Sequence, residues 1–383
     1  MIIQSLLDTD LYKITMGQVI FNQFPRARAR YRLINRGAMP FPEGLGDRLG
    51  DEVRRFDHLQ AKGAEIDWLL KKVRYLKPTY LEWLAHYRFK PEEVTIRQAG
   101  CMLEVEVSGP WYRTVFWEVP LLAVISELYF ADRQPLPGWE DRITGKAERM
   151  ASVGAHWVDF GTRRRFSYQT QDAVNQIMSR YRPFFAGTSN PHMAMKYDVT
   201  PIGTYAHEGP MAMQVLAGVA CADQVWMDAW VEEYQGDLGI ALTDTLTSEY
   251  FFRQFGLKEA KLFDGVRQDS GDSRRIAEKA IAHYQSLHID PRSKHIIFSD
   301  SLTDDKLMAL HKEFSDRIRV SGGIGTYLTN DVGHQPLNMV IKMTEADFGN
   351  GWVPVIKLSD DPGKQSGDPS RLAAALVELG MSK

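Results

Sequence analysis

Between Trp157 and Gly323 one phrase recurs: a short apolar run, then an abrupt polar or glycine-rich stop. Trp157–Phe160 stops in Gly161-Thr162-Arg163-Arg164, Phe184–Ala186 in Gly187-Thr188-Ser189-Asn190, and Val199–Ile202 in Gly203-Thr204-Tyr205-Ala206-His207-Glu208. Ile240–Leu242 stops in Thr243-Asp244, and Gly265-Val266 in Arg267-Gln268-Asp269-Ser270-Gly271. His295–Phe298 stops in Ser299-Asp300-Ser301, and Ile318–Val320 in Ser321-Gly322-Gly323-Ile324-Gly325-Thr326. Helical spacing fills the intervals. Such alternation constrains the chain to a parallel β/α architecture, in which chemistry gathers at the C-terminal ends of the strands. Loops of a purely structural domain would rarely collect Arg, His, Asp and Gly-Thr at every stop. The pattern implies an enzyme.

Composition narrows the class further. A chain of 383 residues with 44% apolar content can bury a sizeable core in one large or two medium domains. Its 46 basic and 49 acidic residues leave a net charge of −3, without the basic patch that nucleic-acid binding requires. Arg163-Arg164-Arg165 is the densest basic run after a strand, and it suits a local anion site. Cys101 and Cys221 are far apart and outside any CxxC spacing, so reduced thiols, buried as small hydrophobes in a cytoplasmic protein, are expected. The N-terminus lacks the basic start of a signal peptide. No apolar run reaches the ~18–20 residues of a bilayer span, so no membrane partner is expected.

Residues 1–130 differ in texture from the rest and read as an N-terminal α+β domain. Residues 131–383 read as a β/α-barrel domain whose C-terminal segment can pack back on the first. In the first part, helices are expected over Asp10–Phe21, Asp47–Asp57, Ile66–Tyr75 and Val119–Tyr129, a strand over Arg28–Leu33, and a strand or hairpin over Val94–Val107. In the second, helices are expected over Tyr168–Met178, Met211–Glu233, Ser248–Phe255, Arg274–Ser286, Thr303–Phe314 and Arg371–Leu379. Asp272 or Ser273 would cap the fourth of these. Asn338–Met343 and Val353–Leu358 read as late strands.

Several familiar signatures are absent. Gly145-Lys146 is followed by Ala147 rather than Ser or Thr, Gly44-Leu45-Gly46 misses the dinucleotide spacing, and His207-Glu208 lacks a second zinc-ligating histidine. A tightly held transition metal is therefore not expected, whereas Mg²⁺ carried on substrate phosphates needs few protein ligands. His207, at a strand end, is the sharpest candidate. A nucleophilic histidine needs its second nitrogen held by an acceptor, and Asp244 ends the next strand. Gly323, Gly325 and Thr326 suit a phosphate cradle, because glycines let backbone N–H groups approach an anion. Arg267 offers a guanidinium for a carboxylate or phosphate, and Asp269 a carboxylate for ribose hydroxyls or Mg²⁺. Asp272 is accounted for as a helix cap, but Arg267 would sit poorly near a positive helix end unless an anion is bound.

In their order these stops resemble the nicotinate phosphoribosyltransferase family. The likeness runs from Thr9-Asp10-Leu11-Tyr12-Lys13 through Asp159–Arg164, Gly187–Asn190, Ala206-His207-Glu208, Leu242–Asp244, Gly265–Asp272, Phe298–Asp300 and Gly323–Thr326 to Lys357–Lys364. The resemblance implies an N-terminal α+β domain followed by an irregular β/α (TIM-like) barrel. It implies transfer of phosphoribosyl from phosphoribosyl pyrophosphate to nicotinate, with ATP as co-substrate and His207 as the phosphorylated residue. By the same resemblance the base stacks between Phe160 and a neighbouring subunit's Tyr12, so a homodimer with shared sites is expected. Arg267 and Thr204 are assigned to the nicotinate carboxylate and Arg163 to the base or phosphate edge. Asp269 and Asp300 are assigned to ribose or Mg²⁺, and Gly323, Gly325 and Thr326 to the 5′-phosphate. The rivals are nicotinamide phosphoribosyltransferase and a catalytically silent nucleotide-binding barrel. Ser189 stands where the amide-using relative has Asp, and the absence of a carboxylate there favours the acid. Two departures stand out: Gly209-Pro210 replaces an aromatic pair, which bears on the packing behind His207, and His192 has no assigned role.

Overall fold

The structure, a computed structural model, describes residues 1–381 and holds two sheets. The first is antiparallel, in the order β12-β11-β1-β3-β2. It comprises β1 (Arg28–Asn35), β2 (Val94–Ala99), β3 (Met102–Pro110), β11 (Met339–Asp347) and β12 (Val353–Pro354). The second is parallel, in the order β6-β5-β4-β10-β9-β8-β7. Its members are β4 (His156–Asp159), β5 (Phe185–Thr188), β6 (Thr200–Pro201), β7 (Ile240–Leu242), β8 (Gly265–Gln268), β9 (His295–Phe298) and β10 (Arg319–Ile324).

Read as a ring, the parallel order is sequential. β10 returns to pair with β4, Gly323 opposite Val158, and only the β6–β7 junction lacks a ladder. The result is a curled seven-stranded half-barrel, one strand short of a TIM barrel. The chain crosses the open seam between Gly203 and Tyr234, and the Tyr205 hydroxyl accepts a bond from the Leu242 N–H at 3.1 Å across it. Every expected barrel strand forms, each within a few residues of its apolar run.

The two late strands do not join the barrel. β11 lies antiparallel beside β1, with Arg28 opposite Asp347 and Asn35 opposite Met339, and β12 adds to its outer edge. Beyond Pro354 the expected second strand dissolves into a loop that keeps a single bridge, Lys357 to Ser366. β11 alternates buried Met339, Ile341 and Met343 with half-buried Val340 and Lys342, so one face packs on the core and the other is free to look elsewhere.

Helices form where the periodicity indicates, including Leu11–Gln23, Tyr168–Met178 and Ser273–Ser286, the last capped by Asp272 accepting from the Arg275 N–H. Helices over Pro78–His86, Trp139–Ser152 and Pro191–Tyr197 were not anticipated. Cys101 and Cys221 are exposed, contrary to the burial expected of them; both sit at polar edges, in the β2–β3 turn and on an outer helix face. No helix among the described residues is long and apolar enough to cross a membrane.

Candidate active site

A cavity of about 690 Å³ opens at the C-terminal ends of the barrel strands and is roofed by the first sheet. Phe160, Ser189, His207, Arg267, Asp300 and Thr326 line it from six different strand ends. Arg163, Asp269, Gly323, Gly325 and Tyr12 line it as well. Thr204 does not: its carbonyl accepts from the Thr15 hydroxyl at 2.7 Å, which turns this residue toward the N-terminal helix.

The loop that carries Phe160 and Arg163 is fixed from behind by Asp159, wholly buried at the end of β4. Its carboxylate accepts from the Gly161 N–H at 2.8 Å, Gln171 at 3.1 Å, Asn175 at 2.9 Å and the Thr188 hydroxyl at 3.0 Å. A neighbouring buried pair pins the N-terminal segment: Arg165 donates to both oxygens of Asp8, at 2.7 and 3.1 Å, and Asn190 to the same carboxylate at 2.8 Å. The Leu11 N–H then donates to the Ser189 carbonyl at 2.6 Å. These contacts seat Tyr12 in the lining of the same cavity as Phe160. Tyr12 thus lines the cavity of its own chain, where the resemblance expects a neighbouring subunit's.

The wall near Ser189 also departs from expectation. Ser189 donates to Asp10 at 2.6 Å, so a carboxylate does stand there, supplied by the N-terminal segment. Burial raises the Asp10 pKa, against the pull of Arg163 at 3.7 Å.

His207 lies at the start of the helix Glu208–Tyr234, at the seam. Its Nδ1 is 3.1 Å from the Thr245 hydroxyl, and its Nε2 is 3.1 Å from Asp269 and 3.0 Å from the Lys357 ammonium. Asp244, expected to hold the imidazole, lies 3.8 Å away; it binds Lys357 at 3.0 Å and accepts from Ser270 at 2.6 Å. Asp244 therefore acts on His207 through Lys357, because the ammonium sits between them. Burial and the adjacent Lys357, against the attraction of Asp244, push the His207 pKa down to about 3. The imidazole is neutral at pH 7. His207, Asp244 and Asp269 converge closely enough to hold a metal, but Lys357 contributes the cation there.

Sequence reasoning missed two of the cations around this centre, Arg36 and Lys342, while Arg164 belongs to the basic run read there as an anion site. Arg36 follows β1, Lys342 lies on the free face of β11, and Arg164 follows Arg163; all three line the cavity. Among the described residues Arg36 donates only to the Lys364 carbonyl at 3.3 Å, and Arg164 to the Asn338 side-chain oxygen at 3.4 Å. Burial, then Lys357, brings the Lys342 pKa down to about 7, and burial with Arg163 and Arg36 brings Arg164 to about 10. The Arg267 Nε is buried with no partner among the described residues. Lys364, by contrast, is paired with Asp300 at 2.5 Å.

Two glycines are explained by close approach. A Cβ on Gly323 would overlap the Phe160 ring, so this glycine seats the aromatic wall, and Gly325 and Thr326 remain for an anion. A Cβ on Gly209 would overlap the buried Trp226 indole, which fills the space behind the His207 loop. His192 bonds Tyr168 at 3.0 Å on the flank of the N-terminal segment, a structural position.

Residues 7–126 match the N-terminal domain, and residues 155–380 the main domain, of the nicotinate phosphoribosyltransferase (NAPRTase) family. The chain is 46% identical to nicotinate phosphoribosyltransferase of Chromohalobacter salexigens, with 100% of this chain and 99% of that protein covered. It is 45% identical to the enzyme of Desulforapulum autotrophicum, with 99% and 100% covered. Among solved structures, nicotinate phosphoribosyltransferase of Porphyromonas gingivalis superposes with a TM-score of 0.96 at 40% identity, over 99% of this chain and 100% of that one. The enzyme of Vibrio cholerae gives 0.92 at 35% identity, over 100% and 94%. With both parts of the chain matched, and the strand-end constellation intact, this chain belongs to the nicotinate phosphoribosyltransferase family.

Proposed function

We propose that this chain transfers phosphoribosyl from phosphoribosyl pyrophosphate to nicotinate, releasing pyrophosphate and forming nicotinate mononucleotide for NAD salvage, with ATP consumed through His207. The observation that carries the reading is one cavity holding a neutral histidine beside Arg36, Arg164, Arg267 and Lys342, none of which makes a close ion pair among the described residues. Such a set calls for polyanions and an acid.

In the transfer step the pyridine nitrogen attacks the ribose anomeric carbon, and the bond from that carbon to the pyrophosphate oxygen breaks. The pyridine nitrogen ends as a cation and pyrophosphate leaves with the electron pair. Positioning and charge stabilisation do most of this work. Phe160 and Tyr12 flank the flat base, the unpartnered Arg267 guanidinium takes its carboxylate, and Arg163 holds the edge near Asp10. Arg36 and Lys342 from the roof, and Arg164 from the loop after β4, face the leaving pyrophosphate. Gly325 and Thr326 receive the 5′-phosphate. Asp269 and Asp300 offer hard oxygen donors to ribose hydroxyls or to Mg²⁺ arriving on substrate phosphates.

In the coupling step a lone pair on His207 attacks the γ-phosphorus of ATP, and the bond to the ADP oxygen breaks. The ring nitrogen that attacks is the one left without the proton, and the Thr245 hydroxyl at Nδ1 and Asp269 and Lys357 at Nε2 govern which that is. The product sits at a helix start, where backbone N–H groups and the dipole favour an anion. ATP and phosphoribosyl pyrophosphate are cytoplasmic metabolites, and the reading carries that location with it. Because Tyr12 lines the cavity of its own chain, the reading places all the residues of a site on one subunit.

Pyrophosphate release, measured from phosphoribosyl pyrophosphate with nicotinate or nicotinamide, with and without ATP, tests the reading. Turnover of nicotinate, stimulated by ATP, is expected. Preference for the amide would favour the amide-using rival, whose carboxylate Asp10 could mimic, and no release with either base would leave a silent barrel.

A further inference from the structure

We propose that Lys13 is a positioning residue that ties the phosphorylation state of His207 to the base pocket through the carboxylates of Glu208 and Glu118. Lys13 comes from the helix Leu11–Gln23 and is wholly buried, a costly place for an ammonium without partners. It has two. One is Glu208, next to His207 in the chain, and the other is Glu118 at 2.6 Å. Glu118 continues the path: its carboxylate is 3.4 Å from the Tyr12 hydroxyl and 3.6 Å from Arg163. Arg163 reaches Asp10 at 3.7 Å, and Asp10 accepts from Ser189. From the neighbour of His207 to the aromatic and charged walls of the base pocket, each charged or polar group lies within 4 Å of the next.

A plain neutralising role would leave both carboxylates satisfied. Here one ammonium serves two acids, and the buried Glu208 carboxylate has, beside Lys13, the neutral Tyr31 hydroxyl as a neighbour. The two acids share Lys13 unequally: burial raises the pKa of Glu208, while Lys13 and Arg163 hold that of Glu118 below its ordinary value despite burial. A shared buried cation is a two-position element that a nearby charge can bias. Phosphorylation adds about −2 beside Glu208, and in a buried network this charge is poorly screened. Lys13 then shifts its weight toward Glu208. Glu118 is released to Arg163 and Tyr12, and the base pocket tightens.

The proposal rests on the phosphohistidine reading, so the test measures labelling and coupling separately. In the native protein ATP should lower the nicotinate KM by a factor within the ~5- to 150-fold range usual for coupled sites, with acid-labile label on His207. Lys13→Met combined with Glu208→Gln keeps the buried charge balanced, and Glu118→Gln keeps the Lys13–Glu208 pair while cutting the onward link. Both proteins should retain the label. In both, the ATP effect on KM should collapse below about twofold, and ATP spent per mononucleotide formed should rise. Retention of the full ATP effect in either labelled variant would overturn the proposal. Absence of label from the native protein would remove the phosphohistidine reading and this proposal with it, whereas label with unaltered coupling removes the proposal alone.

Discussion

A nitrogen nucleophile is useful near pH 7 only if it is unprotonated, and at His207 burial and the Lys357 ammonium secure this together. Its ring signals in an NMR titration should stay constant between about pH 5 and 8, where an ordinary histidine would titrate. A full transition near pH 6.5 would show that Lys357 does not face it. Arg267 permits a sharper experiment. A charge-assisted contact is worth ~1.5–3 kcal/mol, so Arg267→Ala should cost roughly 10- to 150-fold in kcat/KM for nicotinate and far less for nicotinamide. Lys342 sets a pH dependence. With its pKa lowered to about 7, it is charged below that pH and neutral above it, and a polyanion binds the charged form. The KM for phosphoribosyl pyrophosphate should therefore rise as pH increases through 7, by up to about tenfold per unit, and Lys342→Met should flatten this limb. Of these residues His207 and Arg267 were legible in the sequence, because each lies at a strand stop. Lys342 was not. It reaches the cavity from a different sheet, and only tertiary packing shows that the sheet forms the roof.

Strands betray themselves when every one ends in chemistry, which is why the barrel could be read from its stops. The helix Trp139–Ser152 could not be read so easily, although Ile143, Ala147 and Met150 lie at helical spacing and are buried. Gly145 and the surrounding charges dilute its apolar face. The late strands were found as elements, but their destination was hidden: alternation shows that one face is buried and not which sheet buries it. The assignment of Asp244 missed for a related reason. Neighbouring strand ends bring it near the imidazole, and a lysine from the distant C-terminal tail then enters between them. Packing behind the His207 loop gives a test at this scale. The missing aromatic pair at Gly209-Pro210 is answered by Trp226, whose ring lies where a Cβ on residue 209 would be. Gly209→Ala should destabilise the protein by ~1–3 kcal/mol, seen as a lowered Tm, with weaker His207 labelling because the loop is displaced. An unchanged Tm would mean that the Trp226 ring yields freely.

For the molecule as a whole, pinning of the N-terminal segment by Asp8 and Arg165 holds Tyr12 in its own chain's cavity, and on the proposed reading each chain carries its own site. Mixing Tyr12→Ala with His207→Ala subunits should then restore no activity, even where subunits exchange, since neither mixture nor exchange assembles an intact cavity. Recovery would show that Tyr12 crosses between chains. The placement of β11 against β1 has a consequence of another kind. During synthesis β1 and β3 emerge early, but the strand that covers the other side of β1 lies near the end of the chain. At ~5–20 residues per second the nascent protein carries an uncovered strand edge for roughly 10–50 s. An isolated 1–130 fragment should accordingly aggregate or stay unfolded, and a chain stalled before Met339 should bind holdase chaperones until release. The first part of this protein to be made is among the last to be finished.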